Sequence, residues 1–599
     1  MEFLKRASNC VVYFVEEASE AQKLFEEVKD SETKVIIIIL EQKGKVTFPA
    51  ENVVQIPGNK NISNLCSFIN KNINQEEAED SLMSLVDHSQ IASECSFSND
   101  EMNNSYRAAK IRSDKIVDII KQVPATDRKR KFLPYQGLNW KMFCNDEKEE
   151  CKMRNMGNMT PDEYKDYLRS RRSQHRDGQR KTEATAVMKI FIEGISKEDE
   201  KERKYFLQLF QLELNKLSDL VMPDILRRYN ESKKNLDNDT RGNGSFNLEL
   251  EKITEEFNSC SFGLEHFLRE LGQLYEAHHT RDFLNEPSNT TPFNNLPSLM
   301  SRLILMGYPL EIMDGNVSGV PIVWLRAVVK ELNAALGKSK KLSVLSILGV
   351  QSTGKSTLLN TMFGCKFAVS SGRCTKGVFV QLVPVLKSDD GAEGEEYDYI
   401  LVMDTEGLRS PELSGSGDFT HDNEIATFVS CLANTTILNF YGETFTTEMA
   451  EILQIVSTAY LRMRDVDLKS VLTHLVFAGV QNITAQDRNE MSITNVMNQL
   501  NDIIVDEANK NDKVYRRQDV FPLCGEEFKK LRFPQTFPVL WQGSMSQPNE
   551  KYGEEISKLR MGLYESIVST ETARHRTQTL GNKLQIICLR IKFLKIFSI

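Results

Sequence analysis

The sequence predicts an α/β protein in which a mostly parallel sheet flanked by helices fills the second half, preceded by a small α/β module and a mainly helical region. Three observations carry that expectation. Leu342–Leu348 (LSVLSIL) and Tyr399–Met403 (YILVM) are apolar runs without alternation, the pattern of strands buried on both faces. Each run ends in a polar, glycine-containing turn, GVQSTGKST and DTEG, and the first turn opens onto the helix-like STLLNTMF. The chain has 599 residues, which at roughly 100–200 residues per domain predicts several domains.

Composition bounds the function classes. With 40% hydrophobic and 27% charged residues the chain is a folding sequence, neither disordered nor a stapled mini-protein. Lys and Arg number 75 against 84 Asp and Glu, a net charge of −9. That balance argues against a nucleic-acid partner and against a polybasic membrane binder. The 11 Cys show no zinc or CxxC spacing, which points to a reducing, cytoplasmic compartment. No window approaches the length of about 18 uncharged apolar residues that a transmembrane segment needs, and the N-terminus lacks a signal-peptide layout.

Taken in order, residues 11–16 (VVYFVE) and 35–40 (VIIIIL) flank a helix-like EASEAQKLFEEVKDSE, so residues 1–75 read as a small α/β module. Residues 76–280 read as mainly helical. Within them Arg128–Lys131 is a basic tetrad, read either as a nuclear localisation signal or as a solvated helix end. Thr160-Pro161-Asp162-Glu163 is a capping box that starts a helix, with Arg169, Arg171, Arg172 and Arg176 expected on a solvated face. From Glu183 to about Ser232 the apolar spacing predicts one long helical stretch, broken by the Asn-rich ESKKNLDNDTRGNGS before the helix FGLEHFLRELGQLYEAHH. His278 and His279 have no partner at metal-ligand spacing. Residues 281–297 are Pro- and Asn-rich and read as a linker, residues 298–548 as the sheet-bearing domain, and residues 549–599 as the start of a C-terminal helical region. The final LQIICLRIKFLKIFSI suggests a chain cut from a longer protein.

The chemistry sits in the sheet-bearing domain. Gly349-Val350-Gln351-Ser352-Thr353-Gly354-Lys355-Ser356-Thr357 is GxxxxGKS between a strand and a helix, the context a phosphate-binding P-loop requires. Backbone N–H groups from Gly349, Gln351, Ser352, Thr353, Gly354 and Thr357 and the helix N-terminus suit a phosphate chain. Lys355 reaches the β- and γ-oxygens, and the Ser356 hydroxyl is placed to ligate Mg²⁺. Downstream, Asp404-Thr405-Glu406-Gly407 is DxxG at a strand end. An ATPase would more often place a second acid directly after the Asp, whereas in a GTPase reading Asp404 serves the Mg²⁺ site and the Gly407 amide the γ-phosphate. Between the two lies FAVSSGRCTKG, whose Thr375 hydroxyl is the candidate to complete the metal shell. Glu406 and His421 are taken as switch-loop residues, since a carboxylate beside phosphates repels them. Cys365 and Cys374, isolated from other thiols, are expected to be inert. SDDGAEGEE reads as the solvated tip of an antiparallel hairpin.

CTKG, DTEGL and GVQSTGKSTLLNTMFG, with FLPYQGLNW, PLEIMDGNVSGVPIVWL and HDNEIATFVSCLANTTILNFYGE, make the chain resemble the interferon-inducible very large GTPase family, and also the up-regulator of cell proliferation. The resemblance spans roughly residues 130–550. It implies a P-loop NTPase G domain that binds GTP with Mg²⁺ and hydrolyses it. It also implies a cytoplasmic, and in addition nuclear, protein that forms a homo-oligomer through the G domain. Two departures bear on activity. Guanylate-binding relatives carry an Arg within the phosphate loop where this chain has Ser352; Arg373 is the candidate to supply that charge instead. No NKxD follows the strand HLVFAG. Asp487 is the nearest carboxylate and Asn482 the nearest amide for reading guanine, while Arg464-Asp465 matches an RD pattern only by letters, at a helix end. The alternatives are a nucleotide-binding pseudo-GTPase scaffold with little turnover and an ATP-driven P-loop protein.

Overall fold

The computed structural model describes residues 10–15, 34–39, 103–237, 245–279, 293–337, 340–367, 375–385, 398–409, 420–442, 446–465, 471–478, 498, 501–502, 505–506, 535–536 and 550–572. Two compact units divide the chain, Met1–Arg112 with Lys197–Phe206 and Ser113–Ser196 with Leu207–Ile599. In the first, β1 (Cys10–Val15) and β2 (Lys34–Ile39) pair in parallel, as their unbroken β-branched runs predict. The helix expected between them lies outside the described residues.

Among the described residues the second unit holds seven strands: β3 (Leu310–Asp314), β4 (Leu342–Gly349), β5 (Gly377–Pro384), β6 (Tyr399–Thr405), β7 (Thr435–Tyr441), β8 (Leu472–Ala478) and β9 (Gln535–Thr536). Their order is β3-β5-β6-β4-β7-β8-β9. Only β5 runs against its neighbours, pairing antiparallel with β3 and β6, while β6, β4, β7, β8 and β9 are parallel. The sheet is therefore mostly parallel, as expected. All eight residues of β4 are buried, which is why its sequence shows no alternation. After β4 the chain builds β5 and β6 on one side and then crosses to β7 on the other. The carboxyl end of β4 is thus a topological switch point, where open α/β sheets bind ligands.

The helices are α1 (Asn104–Lys121), α2 (Ala125–Phe132), α3 (Leu138–Lys152), α4 (Pro161–Arg180), α5 (Ala186–Ile195), α6 (Glu200–Asp219), α7 (Met222–Asp237), α8 (Ser245–Cys260), α9 (Leu264–His279), α10 (Leu296–Leu305), α11 (Ile322–Leu336), α12 (Lys355–Phe363), α13 (Thr420–Leu432), α14 (Thr447–Asp465) and α15 (Glu550–Thr572). The stretch expected as one helix after Glu183 is three. Gly194 and Ser196 end α5, Asp199 caps the start of α6 by accepting from Lys201 N at 3.0 Å, and Pro223 sits in the first turn of α7. α10 begins at Leu296, within the last residues of the stretch expected as a linker.

The predicted capping box is present: Thr160 caps α4 and Glu163 reaches back to its N–H at 2.8 Å. The basic face of α4 departs from the expectation of a solvated face. Arg169 and Arg172 pair with Glu150 and Arg171 with Asp146 of α3, and Arg176 is buried under the Trp140 and Phe143 rings. The alternation of acids on one helix with bases on the next is a long-range match that no single helix displays. The tetrad likewise divides. Arg130 and Lys131 are exposed, but Arg128 bonds Val123 O at 3.0 Å and the Lys129 ammonium bonds Asn258 O at 2.6 Å.

α9 is the central helix of the helical part, with Phe267 fully buried against Phe191, Phe210 and Phe262. Phe267→Ala is expected to destabilise this unit by about 3–5 kcal/mol, read as a lowered urea midpoint. The helical part is joined to the sheet by buried polar contacts: Arg269 of α9 forms a two-pronged pair with Glu311 of β3 at 2.5 and 2.6 Å, and Glu276 accepts Trp324 N at 2.7 Å. At the other end, Ile556, Leu559 and Leu563 of α15 share one apolar core with Leu358, Leu359 and Met362 of α12. The apolar core beneath the sheet thus includes residues beyond 548.

Candidate functional site

Every expected feature of the loop after β4 depends on backbone that can approach its neighbours closely. A Cβ on Gly349 would stand 2.3 Å from Asn439 O, and one on Gly407 would stand 2.3 Å from the Gln351 Cα. Glycine at both positions lets the P-loop nest between β7 and the DTEG turn. Two backbone bonds join loop and turn, Gln351 N to Leu408 O at 3.2 Å and Leu408 N to Gly349 O at 3.0 Å. Gly354 sits in the left-handed region with φ +79 as the cap of α12, and Ser352 shares that region with φ 63. This αL geometry at the head of a helix points successive N–H groups into one concavity.

Lys355, the first residue of α12, is buried, and its ammonium lies 2.8 Å from Val350 O across the loop. Thr353 Oγ1 donates to the same carbonyl at 2.9 Å. Asn439 at the end of β7 donates to Thr353 O at 2.8 Å and braces the loop from beneath. Asn439 is not among the residues the sequence nominates, although a lone amide within the buried strand TTILNFY is the signal that marks it.

The three nominated metal residues come together. Ser356 Oγ lies 2.7 Å from Asp404 Oδ2 and 3.0 Å from Thr375 Oγ1, and the Thr375 hydroxyl donates to Asp404 Oδ2 at 3.0 Å. Asp404 is fully buried, and its Oδ1 makes no hydrogen bond. Burial pushes the Asp404 carboxyl pKa above the usual carboxylate range, against the opposing pull of the Ser356 hydroxyl, the Lys355 charge and the Thr375 hydroxyl. A buried carboxylate with one orphaned oxygen beside two hydroxyls is a hard-oxygen donor set, and it fits a Mg²⁺-sized cation. Among the described residues, no cluster of His, Cys, Asp and Glu offers an alternative metal site.

Glu406 is engaged elsewhere. Its N–H donates to Gly377 O at 2.7 Å and its carboxylate accepts Gly377 N at 2.9 Å, with His421 Nε2 at 3.5 Å. Glu406 therefore holds the Thr375-Lys376-Gly377 segment to the DTEG turn, consistent with its reading as a switch-loop residue. Burial and the Asp404 carboxylate push the Cys365 thiol up to about 12, which makes it unreactive. His278 and His279 are spent on Tyr135 and on Tyr275 with Asn294. Arg373, Cys374, Asn482 and Asp487 lie outside the described residues, as does the hairpin tip, though β5 and β6 are the antiparallel pair it was expected to join. Thr357 lies on α12, its carbonyl accepting Thr361 Oγ1 at 2.8 Å.

Comparison with known proteins places residues 147–548 on the model of the URGCP-like GTPase domain. The chain is 31% identical to interferon-induced very large GTPase 1 of Mus musculus, covering 97% of this chain and 24% of that protein. It is 35% identical to up-regulator of cell proliferation of Mus musculus over 61% of this chain and 37% of that protein. It thus spans well under half the length of either relative. Among solved structures, a single-residue variant of Aquifex aeolicus Era bound to GDP.AlF4- aligns with 31% of this chain and 62% of its own at 15% identity, with a TM-score of 0.19. No described helix is long and apolar enough to cross a membrane.

Proposed function

Since the chain belongs to the URGCP-like GTPase domain family, we propose that it binds GTP with Mg²⁺ at the carboxyl end of β4 and hydrolyses it. The observation that carries this reading is the convergence of Ser356, Thr375 and Asp404 within 3.0 Å of one another at the start of α12. Three segments far apart in sequence supply the oxygens of one hard-cation site, and the P-loop lies beside it.

The chain's own groups then have distinct roles. The P-loop amides and the N-terminus of α12 bind the phosphate chain by donated hydrogen bonds and partial positive charge. Lys355 exchanges Val350 O for phosphoryl oxygens and stabilises charge that grows on them in the transition state. Ser356, Thr375 and Asp404 would hold a Mg²⁺, which when bound would supply positive charge to neutralise phosphoryl oxygens. By keeping Gly377 on the DTEG turn, Glu406 holds the Thr375 hydroxyl within reach of that site, and on this proposal loss of the γ-phosphate would remove one of the contacts that favour this placement. Pairing of two G domains belongs to the same proposal and rests on the family resemblance.

Single-turnover phosphate release, run with GTP and ATP in parallel, tests this. Release from GTP that stops on removal of Mg²⁺ is expected; release from ATP alone contradicts it. GTP retained without release would select the scaffold reading, which Ser352 favours by standing where guanylate-binding relatives carry an Arg.

A further inference from the structure

The end of β3 and the turn that follows it toward α11, residues 313–319 (MDGNVSG), touch both switch segments on one side and the helical part of the same unit on the other. On the switch side, Gly315 packs so closely that a Cβ would stand 2.2 Å from Gly377 N and 2.4 Å from Glu406 Oε2. Lys376 Nζ donates to Asn316 Oδ1 at 3.1 Å, and Ser318 Oγ lies 3.0 Å from His421 Nδ1, whose other nitrogen faces Glu406. Thr375 is the residue before Lys376. The loop is closed on itself by Asp314 N to Gly319 O at 2.9 Å, and Asp314 Oδ1 accepts Asn316 N at 3.0 Å.

On the helical side, the conformation of that loop is set by residues of α3 that lie far earlier in the chain. The Trp140 indole N–H donates to Asp314 Oδ2 at 3.0 Å, and both groups are buried. Val317 packs with Trp140 and Cys144, and a Cβ on Gly319 would collide with the same two side chains at 2.6 and 2.5 Å. Arg269 of α9, already paired with Glu311, stands 3.8 Å from Asp314 Oδ1. The loop is therefore a single stiff piece with two faces, and neither face can shift without disturbing the other.

We infer that Asp314, Asn316 and Ser318 are positioning residues through which Trp140 and Arg269 of the helical part hold the two switch segments in the arrangement that accepts a triphosphate. The inference rests on the reading of the P-loop as a GTP site. In the structure Thr375 lies on Asp404 and Gly377 on Glu406, which keeps the Thr375 oxygen beside Ser356 and Asp404, where a cation serving a γ-phosphate would sit. Contacts that favour this arrangement raise triphosphate affinity. They leave diphosphate affinity nearly untouched, because GDP makes no demand on Thr375. Discrimination between GTP and GDP is then a property of the whole unit and not of the G domain alone.

The test compares affinities of wild type, Trp140→Phe and Ser318→Ala for GDP and for a non-hydrolysable GTP analogue with Mg²⁺, by calorimetry on the full chain. Trp140→Phe keeps an aromatic ring and removes the N–H that Asp314 accepts; Ser318→Ala removes the hydroxyl facing His421 at the other face of the loop. Each is expected to weaken the triphosphate analogue by about 5- to 50-fold, within the range typical of coupling between sites, while GDP changes by less than about twofold. Equal weakening of both nucleotides, which is what general loosening of the fold would give, overturns the inference, and so does an unchanged GTP-to-GDP ratio in both variants. Wild type that binds neither nucleotide would sink the GTP reading itself, an outcome distinct from wild type that discriminates and variants that discriminate equally well.

Discussion

Lys355→Ala is expected to lower affinity for a Mg²⁺–guanosine triphosphate by roughly 100-fold, since a hydrogen bond to a charged group contributes about 1.5–3 kcal/mol and the ammonium serves more than one phosphoryl oxygen. The side chain is buried at the head of α12, and its ammonium bonds Val350 O across the loop, within the loop's own backbone rather than on the main apolar core of the sheet. It does leave Val350 O to Thr353 alone among the side-chain donors described. Nucleotide-free stability should therefore change far less than nucleotide binding, and thermal unfolding with and without the triphosphate separates the two. A variant whose stabilisation by the triphosphate equals that of wild type would remove Lys355 from the site.

Asp404→Asn is expected to act in opposite directions on stability and on function. In the nucleotide-free protein the carboxylate is fully buried and its pKa is raised, so the ionised form is held at a cost. A carboxyl whose folded pKa exceeds its unfolded value binds more protons in the native state. Its contribution to stability therefore falls as pH rises from the ordinary carboxylate range through the raised value. Asparagine keeps the shape, still accepts from Ser356 and Thr375, and abolishes that slope. The variant should melt a few °C higher without ligand at neutral pH and lose the dependence on pH across that window. It should also lose the Mg²⁺-dependent part of triphosphate binding. Metal-ion neutralisation of phosphoryl oxygens is worth several kcal/mol in the transition state, so single-turnover hydrolysis should fall by on the order of 100-fold or more. A variant that hydrolyses normally with Mg²⁺ would place the metal elsewhere.

What can be read in advance is local. β4, the P-loop and α12 follow one another without a break, so the apolar run, the two glycines and the lysine announce themselves within about 20 residues of sequence. The DTEG turn is equally compact, and the hydroxyl of Thr375 stands out because switch chemistry needs an oxygen there. All three nominated metal oxygens meet in the structure. The capping box of α4 is legible for the same reason.

The unread features are pairings between distant segments. Arg171 finds Asp146, Trp140 finds Asp314 and Lys376 finds Asn316, and none of these partners is marked by spacing or periodicity. Asn439 stands out as a lone amide in an apolar strand, but its role as a brace for the P-loop shows only when β7 lies against β4, with Gly349 opposite Asn439 in register. α15 resembles the opening of a new region because its apolar spacing says only that one face is buried, not that α12 receives it. Burial of Arg128 and half-burial of Lys129 in α2 show the same limit from the other side, since a run of four basic residues carries no sign of which two turn inward.

The central claim is that the loop from Gly349 to Thr357 and the Ser356–Thr375–Asp404 trio form one Mg²⁺-dependent guanosine triphosphate site. Isothermal titration of the purified chain with a non-hydrolysable GTP analogue, in Mg²⁺ and again in EDTA, measures it directly. One site per chain is expected, with affinity that collapses in EDTA and in Lys355→Ala. Absence of heat in Mg²⁺ from a folded chain, or binding indifferent to both the cation and Lys355, would contradict it.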